Sequence, residues 1–292
     1  VLDEVQWIPA FNDWLSQTQV ESSMVLEAGD QLDPAAALII CERLAKCGHF
    51  LACYADEDSL LVGERREPIF KPDFNLDLLR AYPYIGRGVV FRSSTLRELG
   101  GLSPGLGDAA PFERLFELIE RHGPVSVGHV GEVLYSARTS FGDWLKQPDL
   151  VRQWGLLVTA HLDRLGIAHQ RAQGSLPGSV RVSYQMTSQP LVSIIVLAGD
   201  QLDVLACLLD SLLAKTAYTH YELLIVDQAS QDPAIRCYLD GLAAMPSQQI
   251  RVVHGDIPDN PAACRNQAAQ EARGEYLLWL AADIAVFQPQ WL

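Results

Sequence analysis

Apolar and polar residues follow one another in blocks over the second part of the chain, from residue 191 to residue 292. An apolar run, 192–196, lies between Pro190 and Gly199, and a second run, 223–226, ends in Asp227. Between them, leucines recur at the three- and four-residue spacing of an α-helix. Short apolar strands joined by a helix are typical of a βαβ unit, whose parallel sheet is covered by helices on both faces.

The same pattern continues to the last residue. It predicts helices over 233–244 and 261–272, and strands over 250–254 and 276–280. In open α/β sheets, ligands bind at the carboxyl ends of the strands. Polar residues follow the predicted strand ends: Asp200, Asp227, Ser230 and Asp232. We therefore expect a binding crevice at this edge of the sheet.

Shorter patterns fill residues 1–140. Helices are predicted near Trp14 and over 35–46, 76–81, 93–99 and 111–121, and strands over 50–54, 88–92 and up to 135. The strand over 50–54 is predicted to end at the densest acidic cluster of the chain, Asp56-Glu57-Asp58. Since charge clusters are usually solvated, an exposed loop is the alternative interpretation of this cluster.

Residues 141–190 have a different composition. A helix over 150–165, ended by Gly166, precedes a stretch rich in Gly, Pro, Ser and Gln (170–178) and a lone strand over 180–184. This composition indicates a connector between two globular parts.

A shift of 254 residues aligns the beginning of the chain with its end. It places Asn12 on Asn266 and Leu26 on Leu280. Such self-similarity suggests two successive repeats, with the chain starting and stopping at the same structural point of each. The absence of an initiating Met agrees with the expectation that the chain is a piece of a longer protein.

The charge and cysteine content exclude some classes of function. With 36 acidic and 22 basic residues, the net charge of −14 argues against nucleic acid or an anionic membrane as the main partner. No run of 18 apolar residues is present, so no membrane span is predicted. The six cysteines show no disulfide or metal spacing and most of them sit in apolar patterns, which favours reduced core thiols and a cytoplasmic location.

Taken together, these blocks resemble tandem family 2 glycosyltransferases of the GT-A fold, the type that builds bacterial surface polysaccharides. The front half of such a unit is similar to PLVSIIV, ELLIVDQASQDP and AACRNQAAQEARGEYLLWLAADIAVFQPQWL. The back half is similar to YADEDS, FKPDFNLDLL, YIGRGVVFRSSTLRELGGL and EVLYSAR. The resemblance implies an α/β, GT-A-like (Rossmann-like) fold with a mixed, mostly parallel sheet flanked by helices. It assigns residues 1–140 to an acceptor-side half, 141–190 to a connector and 191–292 to a nucleotide-binding half.

The resemblance also implies roles around a nucleotide-sugar. Asp227 matches the Asp that contacts the nucleobase, with Asp200 and Ser230 on the same crevice, and Arg265-Asn266 match a pair near the nucleotide. The alternative for Asp227 is a turn or a helix cap. The family's D-x-D motif holds a divalent cation, Mn or Mg, on the diphosphate. Here that motif reads Ala281-Ala282-Asp283, so Asp283 is the one metal candidate, and a plain loop Asp is the alternative.

The position of the family's general base departs from the pattern. The motif reads Ala110-Pro111-Phe112-Glu113, so a proline stands where the base is expected. Glu113 and Asp108 are the nearest carboxylates and hence the candidate catalytic residues. The resemblance would place Asp56, Glu57 and Asp58 on the donor or acceptor side.

Two functions are carried forward. The first is a nucleotide-sugar-dependent glycosyltransferase that moves a sugar to a bacterial surface glycan or glycoprotein. The second is a degenerate, non-catalytic glycosyltransferase-like module that binds or scaffolds, which the loss of a metal carboxylate and of the base favours. Because the two halves amount to one unit in permuted order, they are predicted to close on each other or to exchange in a domain-swapped homodimer.

Overall fold

The computed structural model describes residues 7–61, 63–186, 188–227, 230–247, 249–254 and 260–292. The chain separates into two compact units, Val1–Gln185 (unit 1) and Met186–Leu292 (unit 2). Each unit has its own sheet and its own apolar core.

Unit 1 contains seven α-helices and eight strands among its described residues. The helices are α1 (Trp7–Gln17), α2 (Ala36–Lys46), α3 (Leu76–Ala81), α4 (Ser93–Glu98), α5 (Ala110–His122), α6 (Phe141–Trp144) and α7 (Pro148–Arg164). The strands are β1 (Ser22–Met24), β2 (Gln31–Leu32), β3 (Ala52–Leu61), β4 (Glu64–Ile69), β5 (Val89–Arg92), β6 (Val127–Ala137), β7 (His169–Gln173) and β8 (Val180–Tyr184).

Strand β3 lies at the centre of a mixed six-stranded sheet. The strand order is β1-β5-β3-β6-β2, with β4 also paired to β3. The β3–β6 pair is parallel and the other pairs are antiparallel. Successive residues of β3 face opposite sides: Ala52 and Tyr54 join the larger core, and Cys53 and Ala55 pack with α2. Helices therefore cover both faces of this sheet.

The segment predicted as a connector contributes to the core of unit 1. Trp154 of α7 packs edge-on against Phe112 and at a tilt against Phe116. Strand β8 was predicted to be alone, and that prediction is wrong. It pairs antiparallel with β7, because Gly174 and Ser179 close a turn in the Gly- and Ser-rich stretch with a backbone hydrogen bond of 3.0 Å.

Unit 2 alternates strands and helices as its sequence pattern predicts. Its elements are β9 (Val192–Ala198), α8 (Leu202–Lys215), β10 (Tyr221–Asp227), α9 (Pro233–Ala243), β11 (Ile250–His254), α10 (Pro261–Glu271) and β12 (Tyr276–Leu280). The four strands are parallel, in the order β11-β10-β9-β12. Helices α8 and α9 pack on one face, and α10 packs on the other through Cys264 and Ala268. The predicted α/β class with helices flanking a mixed or parallel sheet is confirmed.

Several predictions about local structure need correction. The predicted strand over 50–54 is longer than expected, because β3 continues through the acidic cluster to Leu61 instead of ending before it. The sequence analysis missed the short strands β1 and β2 and the polar strand β4. Of the cysteines predicted to be core thiols, only Cys53 and Cys264 are buried, and Cys41, Cys207 and Cys237 are exposed. Among the described residues, no helix combines the length and apolar character needed to cross a bilayer.

Candidate functional site

The carboxyl edge of the unit 2 sheet gathers the residues predicted from strand ends. Asp227 is the last residue of β10, level with Ala198 of β9 and His254 of β11 in the strand register. Asp200 follows β9, and Asp283 follows β12. Strands β9 and β12 are neighbours in the sheet but are the first and fourth strands of unit 2 in chain order, so the strand order reverses between them. Such a reversal opens a crevice at the carboxyl ends, where open α/β sheets bind ligands.

Asp227 shapes the loop that leaves β10. Its Oδ1 accepts a hydrogen bond from the Ser230 backbone N–H at 2.9 Å. Ser230 is buried, and its carbonyl accepts from Arg236 Nε at 2.5 Å. The cap of α9 is Asp232, whose Oδ1 accepts from the Ala234 N–H at 2.8 Å. The turn predicted as the alternative role of Asp227 is thus present, while Gln228 and Ala229 lie outside the described residues.

Arg265 and Asn266 lie in the first half of α10, and both are exposed. This helix begins at the carboxyl edge, where Asn260 caps it by accepting from Ala262 N–H at 3.0 Å and Ala263 N–H at 3.3 Å. Cys264 and Ala268 face the sheet, and Arg265 and Asn266 between them are exposed to solvent.

The described residues do not form a complete cation site. Asp283 is exposed, and no group of three or more His, Cys, Asp or Glu side chains in the described part of the chain is placed to hold a metal ion. Hard divalent cations take six or more oxygen ligands. One carboxylate does not fit that requirement by itself.

A second polar cluster lies inside unit 1, and it begins with Glu57. The Glu57 carboxylate is only 1% exposed and forms ion pairs with Lys71 Nζ at 2.9 Å and Arg87 Nη2 at 2.8 Å. Lys71 Nζ also donates to the carbonyls of Ala55 (2.8 Å) and Ile85 (2.6 Å). Burial opposes the charged carboxylate, but the attraction of Lys71 and Arg87 outweighs it and holds the pKa of Glu57 below its usual value.

A glycine makes this ion-pair cluster sterically possible. Gly86 has φ +77°, and a Cβ at this position would lie 2.1 Å from Glu57 Oε2 and 3.0 Å from Lys71 Nζ. The backbone therefore approaches the ion pairs so closely that only glycine, which has no Cβ, fits at this position.

The other two acids of the cluster are buried as well. Asp56 Oδ1 accepts from the Lys71 N–H at 2.9 Å and lies 2.9 Å from His129 Nε2. His129 stacks on Tyr54 and reaches the exposed Asp73 with its other ring nitrogen. Asp58 is buried opposite Ser136 in the β3–β6 pairing. The solvated loop considered for these acids is therefore wrong, because the three residues lie inside a covered strand.

Each of the two candidate catalytic carboxylates of unit 1 lies close to a polar group of another side chain. Asp108 Oδ2 accepts from the indole N–H of Trp144 at 3.0 Å. Glu113 lies in the first turn of α5, 3.4 Å from Arg114 Nη2. Pro111 stands in the same first turn, at the helix start where proline is well tolerated.

The sequence analysis also missed a buried junction at the amino edge of the unit 2 sheet. Glu222 accepts from Ser193 Oγ (2.6 Å), the Arg273 N–H (2.6 Å) and Arg251 Nη1 (3.1 Å). A Cβ on Gly274 would lie 2.7 Å from the Leu191 carbonyl oxygen, so the backbone just before β12 lies in close contact with the start of β9. The sequence signal that could have indicated this junction is a single charged residue, Glu222, within the apolar strand β10.

Parallel strands in the order third-second-first-fourth, with polar residues at their carboxyl edge, are the architecture of nucleotide-binding α/β units. Residues 193–292 match the family model described as Glycosyl transferase family 2. The match falls on unit 2 and covers all four of its strands.

Two relatives align with nearly the whole chain. The chain is 35% identical over 277 residues to the O-antigen biosynthesis protein RfbC of Myxococcus xanthus, covering 91% of this chain and 21% of that protein. It is 31% identical over 274 residues to the uncharacterized protein y4gI of Sinorhizobium fredii, covering 92% of this chain and 30% of that protein. The chain therefore spans less than a third of the length of either relative.

Solved structures give weaker likenesses. A mannosyltransferase from Pyrobaculum calidifontis, solved with GDP-Man and Mn2+, is 20% identical with a TM-score of 0.32 and covers 51% of this chain and 40% of that one. Residues 1–349 of S. aureus TarS, solved with UDP-GlcNAc, are 25% identical with a TM-score of 0.27 and cover 32% of this chain and 26% of that one. TM-scores this low carry no argument about the function of the chain.

Proposed function

We propose that unit 2 binds a nucleoside-diphosphate sugar at the carboxyl edge of its sheet. The observation that carries the proposal is the position of Asp227, which ends β10 level with the end of the neighbouring strand β9. The strand order reverses on the other side of β9, between β9 and β12. The family match over residues 193–292 supports a sugar nucleotide as the ligand. Arg265 and Asn266, exposed near the start of α10, are the proposed partners of the nucleotide.

The chain would act within a family 2 glycosyltransferase that transfers a sugar to a bacterial surface glycan or glycoprotein. The alignment with an O-antigen biosynthesis protein supports this acceptor class. In that reading, residues 1–140 are an acceptor-side half and 191–292 a nucleotide-binding half. Because Asp283 is a single exposed carboxylate, a cation held there would take its remaining ligands from the diphosphate and from water.

Calorimetric titration of UDP, TDP and GDP, with and without Mn2+, tests the binding step. We expect one of these nucleotides to bind the wild type, and Asp227→Ala to weaken that binding by tenfold or more, roughly the 1.5–3 kcal/mol of a hydrogen bond to a charged group. Asp210→Ala is the matched control, since Asp210 is an exposed Asp in the second half of α8.

Thermal melting of both variants separates a lost ligand contact from a disordered loop. No binding of any nucleotide to the folded wild type, or equal binding by the Asp227→Ala and Asp210→Ala variants, would contradict the proposal. Nucleotide binding without any sugar transfer is the result expected from the non-catalytic alternative.

A further inference from the structure

An open apolar groove of about 530 Å³ runs along helix α9 of unit 2. The residues that line it are Leu202 at the start of α8 and, on α9 or just after it, Ala234, Cys237, Tyr238, Gly241, Leu242 and Met245. The positions on α9 are three or four residues apart, so they share one face of the helix. Leu242 is buried in the floor of the groove, whereas Met245 is 51% exposed. The volume lies in the range of pockets that bind ligands.

The groove is formed by consecutive elements of unit 2. Helix α8 joins β9 to β10, and α9 joins β10 to β11 and packs against β11. Strand β11 lies at the opposite edge of the sheet from β12. The groove is therefore built within described elements, and its openness does not depend on what pairs with β12.

A glycine keeps the middle of the groove open. Gly241 lies within α9, and a Cβ at this position would meet no heavy atom within 4 Å outside its own helix backbone and chain neighbours. Glycine is a poor helix former, and alanine would fit here and favour the helix. The absent side chain therefore serves no packing within unit 2, and it allows another backbone to approach α9 closely.

The rim of the groove is acidic. Asp203 and Asp210 are exposed and lie seven residues apart on α8, so they share one face of that helix. Burial, and after it the charge of Asp210, raises the pKa of Tyr238, which places the Asp210 carboxylate near the groove. On the other side, the exposed Asp240 of α9 is next to Gly241 in the sequence.

The basic side chains of the same two helices are held elsewhere. Lys215 is the one basic residue of α8, and its Nζ lies over the ring of Phe287, 5.6 Å from the ring centroid. Arg236 is the one basic residue of α9, and its Nε donates to the carbonyl of Ser230. An apolar floor is thus combined with a rim on which α8 and α9 place carboxylates.

We propose that this groove binds a cationic amphipathic helix of another protein. The apolar stripe of that helix would lie along α9, and its lysines or arginines would face the three aspartates. An amphipathic helix laid into an apolar groove is a common mode of recognition between proteins.

A second copy of this chain fits the groove poorly. Helix α2 has two basic residues and one acidic residue, and no other described helix has a net positive charge. The apolar face of α2 is already buried in unit 1. The net charge of −14 also opposes association of two copies.

Fluorescence anisotropy of labelled peptides, titrated with the 292-residue chain, tests the proposal. The probe is a peptide of about 15 residues, long enough to form a helix, with leucines at three- and four-residue spacing and lysines on both flanks. One control peptide has the same composition in scrambled order, and another has glutamates in place of the lysines. We expect the probe to bind at least tenfold more tightly than either control, and its binding to weaken as salt is added.

Two variants locate the binding in the groove. Cys237→Lys puts a charge and a longer side chain on the groove face and should weaken binding of the probe by tenfold or more. Its matched control is Cys41→Lys at an exposed cysteine of α2, which changes the net charge equally and should bind as the wild type does. Gly241→Ala should raise the melting temperature and yet weaken binding, because alanine favours the helix but fills the position of close approach.

Thermal melting of each variant establishes that it is folded. A wild type that binds no peptide, or that binds the scrambled peptide as well as the probe, would overturn the proposal. Full affinity in both Cys237→Lys and Gly241→Ala would also overturn it. A wild-type dimer in light scattering that Cys237→Lys dissociates would assign the groove to a second copy instead.

Discussion

At the scale of single residues, unit 1 contains buried charges that must keep their partners. Glu57 forms ion pairs with two cations, Lys71 and Arg87, in a place that water hardly reaches. Taking such charges out of water is costly, and the cost is offset only while all partners are present. The resemblance places Glu57 on the donor or acceptor side, and its buried ion pairs predict a structural contribution that can be measured by itself.

Removing the charge of Glu57 should therefore destabilise unit 1 strongly. For Glu57→Gln we expect a loss of about 3–5 kcal/mol in the free energy of unfolding, because two buried cations lose their counter-ion. The matched control is Glu42→Gln, which breaks the exposed pair with Lys46 on α2 and should change the free energy of unfolding far less than Glu57→Gln does. Urea unfolding followed by tryptophan fluorescence measures both values.

The difference in unfolding free energy between the wild type and Glu57→Gln should depend on pH. The pKa of Glu57 is lowered from 4.5 in the folded state, so its stabilisation is fully present above the unfolded-state value and is lost as the pH falls through the folded-state value. The difference in unfolding free energy between wild type and Glu57→Gln should stay constant at neutral pH and shrink below pH 4.5. A difference that grew in acid, or equal costs for Glu57→Gln and Glu42→Gln, would contradict the structural role.

Among the helices, α10 depends most on its first turn. Only two of its residues, Cys264 and Ala268, are buried, so little apolar packing holds it to the sheet. The Asn260 side chain accepts two backbone N–H groups that have no partner within the helix. The proposed nucleotide partners Arg265 and Asn266 lie directly behind this cap.

Loss of the cap should loosen this helix. We expect Asn260→Ala to destabilise α10 by about 1 kcal/mol, and Asn260→Asp to preserve the cap because a carboxylate also accepts these hydrogen bonds. Hydrogen exchange read by mass spectrometry on peptides from residues 261–271 measures the local effect. Unchanged protection in the alanine variant would show that packing, and not the cap, holds the helix.

The regular elements could be predicted from the sequence where burial sets the pattern. The strands β9 and β10 are continuous apolar runs, and α2, α5 and α7 show helical periodicity, so each was found to within two residues of its bounds. The polar strands could not be found in this way. Glu64–Ile69 is an exposed sequence that pairs with β3 through its backbone, and a backbone pairing leaves no trace in the hydrophobic pattern.

The part of the candidate site that follows from strand ends could also be predicted from the sequence. Asp200, Asp227 and Asp283 could be placed at one edge of the sheet because the parallel strands before them are recognisable from the sequence. Burial of Asp56 and Glu57 was not predictable, since it depends on Lys71, Arg87 and His129, which reach them from 14 to 73 positions away along the chain. Long-range partners of this kind carry no local sequence signal.

At the scale of the whole molecule, the chain contains two separate sets of core residues. The clusters of unit 1 draw on residues up to Val182, and those of unit 2 begin at Val192. Cooperative unfolding follows shared packing, so chains with separate cores commonly depart from two-state behaviour. Differential scanning calorimetry of this chain should accordingly resolve two transitions.

Matched core substitutions should assign the two transitions. Leu118→Ala in unit 1 and Leu209→Ala in unit 2 both empty a fully buried site, and each should cost its own unit about 2–5 kcal/mol. We expect each variant to lower the midpoint of one transition and to leave the other in place, because neither leucine belongs to the other unit's core. Leu38→Ala, at an exposed position of α2, should change neither. If both core variants lowered the same transition, the two cores would have to unfold as one.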